Sequence, residues 1–164
     1  PSFTWAPCSI SPVGWAPRNL PIRVALDLGD ASDAARRADS AAFWAAARQL
    51  ERDWGAPLFV PADGDATRDE RWRGIAVQLD PRLPSAGFTT TTSTGDGELY
   101  DAIVGFRTRA DLRDPGIATH ELLHALGIGH TDRQESIMRA SGDLPDRASA
   151  EDVAYGRLLY AVRA

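Results

Sequence analysis

The sequence predicts a single α+β domain, and three observations carry that expectation. Short segments with alternating or continuous apolar residues recur at 21–28, 74–80 and 100–107, the spacing of strands. A long alanine-rich segment at 30–55 has helical periodicity, and a second strong helix start comes only after the strands, at 114. One composition regime runs through all 164 residues without a repeat, and a chain of that length buries about two thirds of its unfolded surface in one core.

The elements follow in order. Residues 1–20, PSFTWAPCSISPVGWAPRNL, are rich in proline, serine and tryptophan and read as an extended N-terminal segment on the surface, ahead of a domain at 21–164. PIRVALDL (21–28) sets Ile22, Val24 and Leu26 on one side of a strand. The helix at 30–55 has Asp30 or Ser32 as its cap, a stripe through Phe43, Ala47 and Leu50, and Gly55 as its stop. APLFV (56–60) is a short strand candidate, and GIAVQLD (74–80) alternates at Ile75, Val77 and Leu79. GFTTTTST (87–94) is β-prone but polar, which suits an edge strand, and YDAIVGFR (100–107) suits a buried one. Asp114 as cap and Pro115 at the first helical position start a helix over about 114–126, stopped by Gly127. A closing helix follows Ser149, with Asp152 three positions on and Val153, Leu158, Leu159 and Val162 as a stripe that Gly156 interrupts.

The net charge of -5 argues against nucleic acid or an anionic membrane as partner, and no apolar run reaches the length of a membrane span. All 18 basic residues are arginine, consistent with a GC-rich coding bias.

The three histidines of the chain all fall within THELLHALGIGH (119–130). His120 and His124, four apart on a helix, share one face and can offer two nitrogens to one ion. A third ligand one turn further on is impossible, because Ile128 stands there. Gly127 allows a left-handed reversal that brings His130 back towards the same point, with Gly129 adding freedom to the bend. Three neutral imidazoles suit one zinc ion and leave a fourth position for water, whose pKa the metal lowers to about 7. Glu121, beside the first histidine, can take that water's proton and pass it to a leaving amine. The set is sufficient to hydrolyse an amide. A structural zinc site is the bland alternative, but it has no need of the glutamate.

HELLHALGIGH matches the metzincin signature HExxHxxGxxH, and Met138 in SIM stands where that family carries its methionine turn. HALGIGHT and SIM resemble most the matrixins, the matrix-metalloprotease group, in a minimal, bacterial-type form. LPIRVALDL resembles their first strand, 30–55 their backing helix and SAEDVAYGRLLYA their closing helix. The resemblance spans about 15–161 and is specific at 119–139. It implies a zincin-like catalytic domain with a twisted, mixed five-stranded sheet, an active-site helix, a turn at about 136–139 and a small C-terminal subdomain. It also implies zinc-dependent cleavage of proteins or peptides, a secreted, extracellular and monomeric enzyme, and Met138 as a soft floor beneath the ligands. The edge strand, Phe88, Thr89, Thr90, Thr91 and Thr92, would pair with an extended substrate, and RASGDLP after Met138 would line the pocket beyond the scissile bond. Matrixins hold a second, structural zinc with further histidines, and no histidine remains here for it. Astacins and serralysins place a tyrosine two residues after the methionine, where this chain has Ala140, and Thr131 stands where serine is frequent in matrixins.

Weaker signals remain open. Asp63, Asp65, Thr67 and Asp69 are spaced like half a Ca2+ loop, but Arg68 and Gly74 occupy positions where glycine and glutamate belong, so a solvated acidic loop is the simpler reading. Asp96, Glu98 and Asp101 form a second such candidate. Cys8 is either a packed thiol or a latency ligand for the zinc, although APCSIS lacks the family's switch sequence. Two other functions compete with the endopeptidase. One is a catalytically silent binding module, against which Glu121 speaks. The other is an exopeptidase on short peptides, which needs a charged wall to capture a chain terminus.

Overall fold

The computed structural model describes residues 13–63 and 72–161, so Cys8 and most of the 63–70 loop lie outside it, as does Val162. Strand β1 (Gly14–Trp15) and a 3-10 turn (Pro17–Asn19) precede β2 (Ile22–Asp27), α1 (Asp33–Trp54), β3 (Phe59–Ala62), β4 (Gly74–Leu79), β5 (Gly87–Ser93) and β6 (Glu98–Phe106). Three helices follow, α2 (Arg109–Arg113), α3 (Pro115–Ala125) and α4 (Ala150–Ala161). The class is α+β with a mixed, mostly parallel sheet. Strands β3, β2, β4 and β6 run parallel side by side, and β5 pairs antiparallel on the far edge of β6. Five strands match the expected count. The two-residue β1, parallel to β6 at Glu98 and Leu99, is a sixth.

The N-terminal segment needs correction. Its described part is not a surface strap, because Trp15 is 2% exposed, sits in the core and donates its indole N–H to the Ala125 carbonyl at 2.8 Å. A tryptophan in a proline-rich run gives no periodic signal, so the sequence hides its anchor.

Helix α1 is capped by Ser32, whose hydroxyl accepts from the Ala35 N–H, and ends at Gly55 with φ 77°. Its buried stripe of Phe43, Ala46, Ala47, Leu50 and Trp54 packs on the face of the sheet that carries Ile22, Val24, Ile75, Val77 and Val104. Phe43 meets Phe106 edge-on at 6.5 Å. The fully buried Asp39 of α1 binds Arg109 and, at 2.6 Å, Arg113. That pair fixes α2, a helix whose Thr108–Asp111 capping box the sequence reading missed.

Helix α4 begins as expected at Ser149, whose hydroxyl accepts from the Asp152 N–H while its own N–H donates back to Asp152. Two details differ. Leu158 is 62% exposed, outside the buried stripe, and Gly156 is a contact point, because a β-carbon there would collide with the Trp54 ring. Tyr160 meets the same ring edge-on at 5.8 Å.

Candidate metal centre

Helix α3 starts at Asp114, whose carboxylate accepts from the Ile117 N–H, with Pro115 at the first turn. It ends as a Schellman motif: the Ile128 N–H reaches the Leu123 carbonyl at 3.0 Å and the Gly127 N–H reaches His124 at 2.8 Å. Gly127 has φ 93°, and a β-carbon there would also strike the Val13 carbonyl oxygen. Both constraints demand glycine. Gly129, by contrast, keeps a negative φ, so the reversal rests on Gly127 alone. Trp15 on Ala125 and Tyr160 on Leu126 satisfy carbonyls that the helix end leaves open.

The reversal carries His130 back to the two helical histidines. The Nε2 atoms of His120 and His130 each lie 3.0 Å from that of His124, and 3.3 Å from one another. Among the described residues this is the one group of three or more metal-ligating side chains gathered closely enough to hold an ion. Four bonds of about 2.05 Å in a tetrahedron place neighbouring ligand atoms about 3.3 Å apart, so the spacing fits zinc.

The tautomers strengthen the fit. His120 Nδ1–H donates to the Ile137 carbonyl at 2.6 Å and His124 Nδ1–H to the Ile128 carbonyl at 2.7 Å. A carbonyl only accepts, so each Nδ1 carries the proton and each Nε2 presents a lone pair. Burial pushes all three imidazoles below their ordinary range, His124 to about 3, which keeps them neutral. Two buried lone pairs 3.0 Å apart repel, and a cation between them resolves the conflict.

Glu121, 5% exposed, faces the same cleft. Burial raises its carboxyl to about 7, against the opposing effect of the Thr89 hydroxyl, which donates to Oε2 at 2.6 Å. Gly87 lies so close that a β-carbon there would stand 2.5–2.8 Å from the carboxylate group. The sequence named Thr89 only as a strand residue. Its side-chain bond to Glu121 was not foreseeable without knowing how β5 crosses α3.

Strand β5 has one free edge. The Arg107 N–H pairs with the Ala86 carbonyl, so by antiparallel alternation the backbone groups of Gly87, Thr89 and Thr91 point away from β6. These three line a cleft of about 930 Å³, and Phe88 borders it. The exposed Thr90 and Thr92 are not part of its lining. The opposite wall is the 139–144 segment with Ile117, Tyr155 and Leu159 behind it.

Met138 is fully buried in the turn below. Its carbonyl accepts from the Thr131 N–H at 2.9 Å, and its N–H donates to Ser136 Oγ at 2.9 Å. Ser136 in turn donates to Asp152 Oδ1 at 2.5 Å, while Asp152 Oδ2 accepts from the N–H of Ile137 at 3.2 Å. Asp152, read from sequence as a helix cap alone, therefore also braces Ile137, whose carbonyl orients His120, directly at its N–H and through Ser136 at the Met138 N–H that follows.

The second Ca2+ candidate does not assemble. Glu98 is engaged by Arg18 at 2.6 Å, Asp101 lies within β6, and neither joins Asp96 in a ligand group. No family model matches the chain, and no curated protein matches it.

Proposed function

We propose that the protein is a zinc-dependent endopeptidase with a metzincin-type catalytic domain, most like a minimal matrixin, acting outside the cell on proteins or peptides. One observation carries the reading: three imidazoles bring their Nε2 atoms within 3.3 Å of one another, two of them presenting lone pairs, with a buried glutamate beside them in a cleft that runs under an unpaired strand edge. His120, His124 and His130 would hold the metal. When bound, zinc supplies Lewis acidity that eases loss of a proton from water and polarises a peptide carbonyl. Glu121 takes the proton of the attacking water on its carboxylate and delivers it to the departing amine nitrogen as the C–N bond breaks. A carboxyl near 7 is suited to both halves of that transfer, because it gains and loses a proton at little cost. The outward N–H and C=O groups of Gly87, Thr89 and Thr91 can hold an extended substrate backbone as an added strand.

The test is digestion of an unstructured protein by the zinc-loaded chain and by its Glu121→Ala variant, read by mass spectrometry, with bound metal quantified in both. Internal cuts by the parent alone support the proposal. Bound zinc without any cut, in parent and variant alike, overturns it in favour of the silent binding module.

A further inference from the structure

Arg139 is the arginine of the cleft, and it has no carboxylate partner among the described residues. Arg18, Arg48, Arg82, Arg109, Arg113 and Arg147 each pair with a carboxylate, whereas none of the ion pairs among the described residues includes Arg139. It follows Met138 directly and lines the cleft on the wall opposite β5. Apart from Glu121, Tyr155 and the three histidines, it is the one ionisable residue among those that line the cleft. Its Nη1 donates to the Gln134 carbonyl at 3.0 Å, which leaves the Nε–Nη2 edge, and Nε–H is buried without any acceptor. Gly142, with φ 93°, faces this guanidinium: a β-carbon there would stand 3.8–4.0 Å from Cζ, Nε and Nη2. The absence of a side chain there leaves Nη2, which makes no hydrogen bond among the described residues, without a cover on that side.

We propose that Arg139 is a specificity residue that binds a carboxylate of the substrate beyond the scissile bond. The proposal rests on the peptidase reading for what the carboxylate belongs to. A cation without a counter-charge, whose Nη2 is left open beside Gly142, is matched by an anionic acceptor that takes a charge-assisted hydrogen bond from it. Two sources present that chemistry: an aspartate or glutamate side chain, or the C-terminal carboxylate of a short peptide. The second would provide the charged wall that an exopeptidase needs.

The test uses the zinc-loaded Glu121→Gln variant, to separate recognition from cleavage, and short labelled peptides in matched pairs, glutamate against glutamine and free C-terminus against amide. Binding is read by fluorescence anisotropy. The expected result is at least about tenfold tighter binding of one carboxylate member over its carboxamide partner, falling below about twofold when Arg139→Gln is added. Arg139→Lys should retain part of the preference. Equal binding of the amide peptides with and without Arg139→Gln shows that the cleft is intact. A preference for glutamate assigns the site to an acidic side chain, and a preference for the free terminus assigns it to chain ends. Equal affinities, no binding of any peptide, or a preference that survives Arg139→Gln overturns the proposal. Failure of the zinc-loaded parent to cleave any peptide, with the carboxylate preference intact, overturns the peptidase reading instead.

Discussion

Removing the Asp152 carboxylate should loosen the metal centre without touching a ligand. The side chain is 2% exposed and accepts from Ser136 Oγ, from the N–H of Ile137 and from both the N–H and the hydroxyl of Ser149. In Asp152→Ala four donors lose their acceptor. The two hydroxyls can turn elsewhere, but the Ile137 and Ser149 N–H groups cannot, and each buried unpaired donor costs about 1–3 kcal/mol. The loss should come to about 3–5 kcal/mol once the missing helix cap is included. For a chain of this size that lowers Tm by about 6–20 °C. The second effect is specific. Asp152 holds the Ile137 N–H directly and, through Ser136 Oγ, the Met138 N–H of the peptide whose carbonyl meets His120 Nδ1 at 2.6 Å, and loss of such an outer partner typically weakens metal binding about 10–100-fold. Chelator competition on the folded fraction measures the affinity, and thermal unfolding of the metal-free chain measures the stability. Asp152→Asn, which keeps the shape and one acceptor oxygen, should fold and still bind zinc more weakly. Zinc affinity within twofold of the parent in a folded Asp152→Asn, alongside a lower Tm, would refute the coupling and reduce Asp152 to a helix cap.

Three further outcomes are expected. Thr89→Val removes the hydroxyl that holds Glu121, and Gly87→Ala forces the same carboxylate aside, so each should lower kcat about tenfold or more with KM little changed, while Thr89→Ser restores the rate. Gly127→Ala imposes a left-handed residue costing about 1–2 kcal/mol and a clash with Val13, so thermal unfolding should show a fall of at least about 2–8 °C with weaker zinc binding through His130. Burial alone would raise the Glu51 carboxyl, but Arg48 and the N–H groups of Phe59 and Leu58 outweigh it and hold it below 4.5. Because the unfolded chain binds that proton more readily, stability from Glu51 is present above about pH 4.5 and lost as pH falls through the lower folded value, and denaturant titrations of Glu51→Gln should show a flatter acid limb.

What the sequence made legible is what local rules control. Spacing alone placed His120 and His124 on one face, and a glycine where the helix must stop foretold the return of His130. Caps at Ser32, Asp114 and Ser149 and alternation in β4 are likewise consequences of a few neighbouring residues. What stayed hidden depends on contacts between distant segments. Trp15 reaches Ala125 across 110 positions and Thr89 reaches Glu121 across 32, and neither residue type announces a partner. Short α2 has too few residues for a periodic signal, although its Thr108–Asp111 box was readable. Arg139 was legible only as part of the RASGDLP pocket segment, because a missing counter-charge is a property of the fold and not of the sequence.

The same division explains how the centre can be both preorganised and open. Its floor is fixed by one local bond and two between more distant residues: the helix reversal sets His124 through Ile128, the Ile137 carbonyl sets His120, and Asp152 holds the turn beneath. None of these anchors uses an Nε2 atom or projects into the cleft, so every orienting bond is made on the far side of a ring or behind the turn. Their cost is desolvation, visible in the depressed imidazoles and the raised Glu121. Histidines tuned only for stability would be better placed at the surface, where water satisfies both nitrogens. Three packed Nε2 to Nε2, with His120 buried and His124 and His130 half-buried, form an arrangement that is destabilising for the chain alone. It becomes favourable when a cation supplies the missing partner, so metal binding and folding should be thermodynamically linked, with Tm rising as zinc is added and falling when it is chelated.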